Sequence, residues 1–168
     1  VDILHDGFDC VIRTGALPED GVIARSLGKL AMVNCASPHY LTRFGYPQSP
    51  DDLTSHAIVR YTPHLGVHPL GFEVASVNGV QWFKSGGMLT VNSSENYLAA
   101  GIAGLGIIQI PRIAVREALR AGRLIEVLPG YRAEPLSLSL VYPQRRELSR
   151  RVNLFMQWLA GVMKEHLD

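Results

Sequence analysis

The sequence lacks several features that define whole classes of protein. Its 168 residues include two cysteines, too few for the disulfide framework of a secreted domain and typical of a reducing compartment. The sixteen lysines and arginines nearly balance the fifteen acidic residues, which excludes a strongly basic nucleic-acid-binding module. No uninterrupted apolar run approaches the ~20 residues that a membrane-spanning helix needs. We therefore expect a soluble globular protein of the cytoplasm.

Apolar residues are abundant, and their order along the chain predicts the fold class. Hydrophobic residues make up 47% of the chain and charged residues 18%, which is enough for a real core. Sixteen glycines and ten prolines indicate short elements joined by sharp turns. Predicted strands alternate with predicted helices, with one hairpin inserted between them. This pattern is typical of an α/β sheet with crossover connections.

The beginning of the chain predicts strands without neighbours. Residues 8–13 have the pattern of a buried strand that ends at Thr14-Gly15, and residues 21–27 have the pattern of an edge strand. A central strand with no neighbour would leave backbone polar groups unpaired. We therefore expect that further N-terminal sequence belongs to this domain. The alternative is a short strand at the edge of a sheet.

Later segments carry more specific local signals. Asn78-Gly79 predicts a hairpin turn with positive φ, and the alternation in residues 136–142 predicts a half-exposed strand. Ser37-Pro38 predicts a helix start, and Ser49 with Asp52 has the spacing of a capping box. The last predicted helix follows Ser149 and has one apolar stripe, formed by Val152, Phe155, Met156, Leu159, Val162 and Met163.

Two serines at a strand-to-helix junction are the first candidate for ligand binding. Ser93 and Ser94 follow a predicted strand and precede a predicted helix of small residues. Free N–H groups at a helix start attract anions, and ligands of open α/β sheets bind beyond the carboxyl ends of strands. The helix dipole contributes at most ~2 kcal/mol, whereas micromolar affinity needs about 8 kcal/mol, so other groups must converge there. The alternative is that one serine only caps the helix.

Other polar residues are weaker candidates. Arg13 stands at a strand end and could pair with a carboxylate beside the Thr14 hydroxyl, although a surface arginine next to a turn is an equal alternative. His64 and His68 have a zinc-like spacing, but the prolines around them oppose a helix and the ligand set is incomplete, so we expect no metal site.

The sequence gives an enzyme no positive support. It has no nucleophile elbow, dinucleotide fingerprint, phosphate-binding loop or zinc-protease motif, so we expect no cofactor. A hydrolase that uses Ser94 with a histidine is an alternative, although nothing in the sequence brings a histidine to it. Cys10 and Cys35 are expected to be buried and apolar in character rather than catalytic or disulfide-bonded.

Five segments, taken in order, resemble the effector-binding domain of LysR-type transcriptional regulators. They are GFDCVIRTG at 7–15, LGKLAMVNCASPHYL at 27–41, NSSENYLAAGIAGLGI at 92–107, GRLIEVLP at 122–129 and LSLVYP at 138–143. Each segment alone is weak, but their order and spacing together are specific, and the resemblance spans essentially the whole chain.

The resemblance implies a type-2 periplasmic-binding-protein-like α/β fold with two lobes. Lobe I would comprise residues from about 1 to 30 and about 143 to 168 and would be incomplete. Lobe II would span about 34 to 137, with hinges at about 31–36 and 137–142. The helix-turn-helix that binds DNA in this family would precede the sequence.

The resemblance also implies a small anionic effector, such as a carboxylate, held between the lobes. Its expected contacts are Arg13 and Thr14 on lobe I, Ser93 and Ser94 on lobe II, and, as second-rank candidates, Asn34 and Gln109. We further expect sensing without catalysis, no metal or membrane partner, and a homo-oligomer, either a dimer or a tetramer. A transport-type solute-binding protein of the same fold is the alternative.

Overall fold

The computed structural model describes residues 7–15, 21–62, 71–87, 89–144 and 149–167. The strands are β1 (Val11–Thr14), β2 (Val22–Leu30), β3 (Met32–Ala36), β4 (Arg60–Tyr61), β5 (Phe72–Ser76), β6 (Gly79–Phe83), β7 (Thr90–Val91), β8 (Ile108–Pro111), β9 (Ile125–Glu126) and β10 (Leu136–Pro143). The helices are α1 (Pro38–Phe44), α2 (Ser94–Ile102), α3 (Arg112–Arg120) and α4 (Arg150–Met163), with 3-10 turns at Pro50–Ser55 and Lys164–His166. No described helix is long and apolar enough to cross a membrane.

The chain divides into two compact units. Unit 1 comprises Val1–Ala31 and Pro135–Asp168, and unit 2 comprises Met32–Glu134. The first expected hinge, at about 31–36, is mainly β3 of unit 2. The second, at about 137–142, lies within β10 of unit 1. Their role as hinges stays a prediction.

Unit 1 contains a three-stranded antiparallel sheet covered by one helix. Strand β10 lies between β1 and β2, so Leu140 faces Ile12 on one side and Arg25 on the other. Helix α4 packs Val152 and Met156, together with Leu159, against Leu140. This apolar contact holds the last helix on the sheet.

Two expectations of burial in unit 1 were wrong. The strand predicted as buried near the start is exposed, with Phe8 at 45% and Ile12 at 49%, because β1 pairs only with β10 among the described strands. Conversely, β10 is buried from Leu138 to Val141 rather than half-exposed, because strands flank it on both sides. The predicted stripe of α4 is only partly buried, since Phe155 and Val162 remain exposed.

Unit 2 is built around β3. Strand β3 pairs with β8 and β9 in antiparallel fashion, and a parallel bridge from Ile107 to Ile58 continues towards the parallel pair of β4 and β7. Val33 and Cys35 point into a core that they share with α2 and α3, and Ala36 belongs to a second core cluster. The alternation of β3 thus supplies two apolar faces, as expected for a central strand.

Several structures predicted from local sequence signals are present. The Ser37 hydroxyl accepts a hydrogen bond from the Tyr40 N–H at 3.2 Å and caps α1, and the capping box at Ser49 is present. Strands β5 and β6 form the predicted hairpin. Its turn differs in one respect: positive φ is confined to Gly79, at 105°, and Asn78 does not share it. The turn residues are Val77 and Asn78, so the glycine lies at the first position of β6.

A buried histidine makes the stability of unit 2 sensitive to pH. The His56 Nδ1 lies 3.1 Å from the hydroxyl of Tyr40, which in turn accepts a hydrogen bond from the Ala57 N–H. Burial lowers the pKa of the His56 imidazole, and the Asp52 carboxylate opposes this shift. The unfolded chain therefore binds the proton more readily than the folded chain does.

We predict that the free energy of unfolding falls as the pH drops below about 6.5, the ordinary value for histidine. His56→Gln should flatten this dependence, whereas Asn96→Ala, which changes an exposed and non-titrating side chain, should leave it unchanged. Urea denaturation between about pH 7.5 and about pH 5 measures both slopes. Equal slopes in the two variants would contradict the assignment to His56.

Candidate functional site

The start of α2 is capped by the first serine of the pair. The Ser93 hydroxyl accepts a hydrogen bond from the Asn96 N–H at 3.4 Å and donates one to the Glu95 carboxylate at 2.7 Å. Ser94 is the first residue of the helix and is exposed. The sequence left open which serine caps the helix, and the structure assigns the cap to Ser93.

A carboxylate already lies at this helix start. The hydrogen bond from Ser93 is the main reason why the pKa of the Glu95 carboxyl falls below its ordinary value, so the group is ionised at neutral pH. A negative charge in the first turn is favourable to the helix dipole. An anionic ligand at this position would therefore compete with Glu95 for the same N–H groups and the same hydroxyl.

The two candidates near the chain start lie in the other unit. Arg13 is partly buried on β1 and faces Ser139 of β10, and Thr14 is exposed at the end of the strand, opposite Leu138. The Gly15 N–H donates to the carbonyl of Ser137, which extends the pairing by one residue beyond the strand. Pairing with β10 thus positions Arg13 and Thr14 within unit 1.

Asn34 and Gln109, by contrast, contact each other. The Asn34 side chain is fully buried, and its Nδ2 donates to the carbonyls of Leu128 at 3.2 Å and Tyr131 at 2.9 Å. The Gln109 Nε2 donates to the Asn34 Oδ1 at 2.9 Å and to the carbonyl of Glu73 at 2.8 Å. The Glu73 N–H donates back to Gln109 Oε1. We call these side chains and their backbone partners the amide network.

Tyr97 joins the amide network to α2. Its hydroxyl accepts a hydrogen bond from the Gln109 N–H at 2.9 Å and donates to the Gln109 carbonyl at 3.3 Å. Burial raises the pKa of Tyr97 to about 12, so the hydroxyl stays protonated. The helix that begins after Ser93 is thereby held against β8, next to Gln109. Tyr97 was not predicted as a functional residue. The one feature of the sequence that could have indicated it is a large aromatic side chain with a hydroxyl group within a helix of small residues.

The amide network also shapes a hollow of about 370 Å³ within unit 2. The hollow is lined by Tyr46, Pro47, Gln48, Glu126, Val127, Leu128, Pro129, Gly130 and Tyr131. Leu128 has a positive φ of 49°, an unfavourable conformation for a branched side chain, and Asn34 holds its carbonyl in place. Glu126 is neutralised by Arg112 and Arg132, each at 2.6 Å.

The described residues contain no cluster of three or more His, Cys, Asp and Glu side chains that could hold a metal ion. His64 and His68 lie outside the described residues. Cys35 is buried, and desolvation raises the pKa of its thiol to about 12, which makes it a poor nucleophile. Cys10 is only partly buried, which differs from the expectation of full burial.

The sequence matches a family model described as the LysR substrate binding domain over residues 1–164. The chain belongs to this family. The resemblance drawn from the five sequence segments is therefore confirmed.

Individual relatives agree with this family. The chain is 97% identical over 168 residues to the HTH-type transcriptional regulator YhjC of Escherichia coli K12, covering 100% of this chain and 56% of that protein. It is 34% identical over 167 residues to an HTH-type transcriptional repressor of Pseudomonas aeruginosa UCBPP-PA14, covering 98% of this chain and 52% of that protein. The chain thus spans about half the length of these relatives, and both are named as transcriptional regulators rather than transport proteins.

A solved structure confirms the fold. The regulatory domain of CrgA, a LysR-type regulator from Neisseria meningitidis, has a TM-score of 0.82 at 24% identity, covering 96% of this chain and 78% of that chain. The predicted periplasmic-binding-protein-like α/β fold is the fold of such LysR domains, and the chain has it.

We predict that Asn34→Ala destabilises unit 2 by about 3 kcal/mol, because it removes the donor to the Leu128 and Tyr131 carbonyls and one of the two acceptors of Gln109 Nε2. Asn96→Ala is the matched control, since Asn96 is exposed and its N–H bond to Ser93 needs no side chain. The control should change the free energy of unfolding by less than about 0.5 kcal/mol. Urea denaturation of both variants measures the difference, and equal effects would show that the amide network contributes little.

Proposed function

We propose that this effector-binding domain senses a small anion for a full-length LysR-type regulator. The match to the family model over residues 1–164 is the observation that carries the proposal. In the full-length protein, a helix-turn-helix outside this chain binds DNA, and the regulator works in the cytoplasm as a dimer or tetramer. The domain itself binds and releases its effector without catalysis and without a cofactor.

The proposed contacts fall into two groups by their chemistry. Arg13 supplies a positive charge and Thr14 a hydroxyl, a pair suited to a carboxylate. The start of α2 supplies N–H groups together with the hydroxyls of Ser93 and Ser94. Glu95 reduces the attraction of the helix start for an anion. Arg13 therefore provides most of the preference for an anionic effector over a neutral one.

Asn34 and Gln109 act in this proposal as positioning residues. The amide network uses both donors of Asn34 and both donors of Gln109 within unit 2, so neither amide offers a spare N–H to an effector. Their contribution is to hold β8 and, through Tyr97, the helix that begins after Ser93. This revises the expectation that the two amides contact the effector directly.

The proposed mechanism is a shift between arrangements of the full-length regulator. An effector changes an equilibrium only to the extent that it binds one state better than the other, and a tenfold preference corresponds to about 1.4 kcal/mol. A ligand that prefers one arrangement of units 1 and 2 would reposition the DNA-binding segments of the oligomer. Sensing thus requires contacts from both units, which is why Arg13 and Ser93 are tested together.

We predict that Arg13→Met lowers the affinity of the full-length protein for a carboxylate effector at least about tenfold. The reason is that the variant loses a charged hydrogen bond to the ligand. Ser93→Ala should weaken the same ligand by a smaller factor. Arg25→Met, at an exposed position of the same sheet, is the control. A thermal-shift screen of aliphatic and aromatic carboxylates finds the ligand, and calorimetry measures the affinities. Unchanged affinity in Arg13→Met would refute the assignment.

Glu95→Gln tests the competition at the helix start. Removing this carboxylate should tighten the binding of an anionic effector by about two- to fivefold, because one like charge near the ligand is lost. Glu117→Gln, on the exposed face of α3, should have no effect. Calorimetry with the same carboxylate gives both ratios. Weaker binding in Glu95→Gln would mean that Glu95 contacts the ligand as an acceptor, and hence that the effector is not an anion at this point.

A further inference from the structure

Two tyrosine rings from distant segments of the chain line the hollow of unit 2. Tyr46 is 55% exposed and Tyr131 is 38% exposed, so a molecule in solution can reach both rings. The hydrogen bonds of these residues are made by their backbone groups: the Tyr46 carbonyl accepts from Gln48 Nε2, and the Tyr131 carbonyl accepts from Asn34 Nδ2. Both aromatic side chains therefore remain available to a ligand.

Buried apolar side chains complete the lining of the hollow. Val127 and Leu128 are each 3% exposed, and Pro47 is also buried. The volume of about 370 Å³ falls within the ~300–1,000 Å³ that is typical of small-molecule sites. Such sites combine an apolar lining with a few polar groups, which the tyrosine hydroxyls supply here.

The two lining segments are held in place by the rest of unit 2. Asn34 Nδ2 donates to the carbonyls of Leu128 and Tyr131, and the Tyr131 N–H donates to the Leu128 carbonyl at 2.9 Å. The Asp52 carboxylate accepts a hydrogen bond from the Gln48 N–H at 2.8 Å. The positive φ of Leu128 is a strained conformation, and such strain is found most often at ligand sites. A lining that is fixed in advance loses little conformational entropy when a ligand binds.

The charges around the hollow favour an uncharged ligand. Among the described residues that line it, Glu126 is the one acid, and no lysine, arginine or histidine is present. The two carboxylate oxygens of Glu126 are bonded to Arg112 and Arg132, each at 2.6 Å. A cationic ligand would have to displace an arginine, and an anionic ligand would find no positive partner in the lining. Burying either charge without a partner is costly.

We propose that this hollow binds a small uncharged aromatic molecule, such as a phenol, against the rings of Tyr46 and Tyr131. Aromatic rings attract one another through their faces and edges, in addition to the effect of the apolar area that they bury. A hydroxyl on the ligand pairs with a tyrosine hydroxyl, which both donates and accepts. None of the four side chains proposed to contact the effector lines the hollow, so it is a second ligand site of the domain.

Phenol is the probe, and NMR spectra of the whole 168-residue chain, labelled with ¹⁵N, are the readout. The amide signals of Tyr46, Gln48, Gly130 and Tyr131 should shift together and saturate with one dissociation constant. Tyr46→Ala and Tyr131→Ala should each weaken phenol binding about three- to tenfold, because one aromatic contact is lost. Trp158→Ala is the control, since it removes an aromatic ring of unit 1 that is 61% exposed, and it should bind phenol like the wild type.

Two glycine variants test whether the hollow itself is the site. A Cβ at Gly130, which lines the hollow, or at Gly161, which lies in α4, would have no atom within 4 Å. Neither glycine has a positive φ, so both positions accept a side chain without backbone strain. Gly130→Leu should weaken phenol binding at least about tenfold, because its side chain takes up part of the hollow. Gly161→Leu should bind phenol like the wild type.

Ligand charge and the effector contacts provide the remaining comparisons. Benzoate and benzylammonium, which carry a charge on a similar ring, should bind at the hollow more weakly than phenol. Arg13→Met should leave phenol binding unchanged, which separates this proposal from the effector proposal. Phenol binding in Gly130→Leu that equals the wild type would overturn the proposal. So would shifts that fail to saturate at the hollow, or benzoate that binds there more tightly than phenol.

Discussion

The fully buried amide of Asn34 is the interaction on which unit 2 depends. Its two donors fix the carbonyls of Leu128 and Tyr131, and its acceptor takes the amide of Gln109. A buried amide of this kind is stabilising only when all its groups are paired, and a partly satisfied one is worse than an apolar side chain. Asn34 therefore specifies one arrangement of β3, β8 and the turn after β9 rather than merely adding stability.

Gln109 connects three elements of unit 2. Gln109 is bonded through its side chain to Asn34 and Glu73 and through its backbone to Tyr97. The hairpin strand β5, the strand β8 and the helix α2 are thus held by one connected set of hydrogen bonds. Breaking any of these hydrogen bonds would leave polar groups without a partner, at a cost of about 1–3 kcal/mol each.

Local signals were readable from the sequence, and long-range partners were not. The cap at Ser37 and the box at Ser49 depend on residues three positions apart, and the β5–β6 hairpin depends on a short turn signal at Asn78-Gly79. All three formed, although positive φ in the turn is confined to Gly79. The partners of Asn34 lie 94 and 97 residues away, so no spacing rule reveals them. Burial failed for the same reason, since the exposure of Ile12 and the burial of Ser139 depend on which strands flank them. The family resemblance supplied the fold that local patterns left open.

Four acids of unit 2 hold local structure. Asp52 completes the capping box, Glu95 is bonded to Ser93, Glu73 receives the Glu134 N–H, and Glu126 neutralises two arginines. Three further acids of this unit, Asp51, Glu117 and Glu134, are exposed. The four carboxylates that hold local structure are bonded to backbone N–H groups, to a serine hydroxyl or to arginines, and such charge-assisted hydrogen bonds are the strong ones.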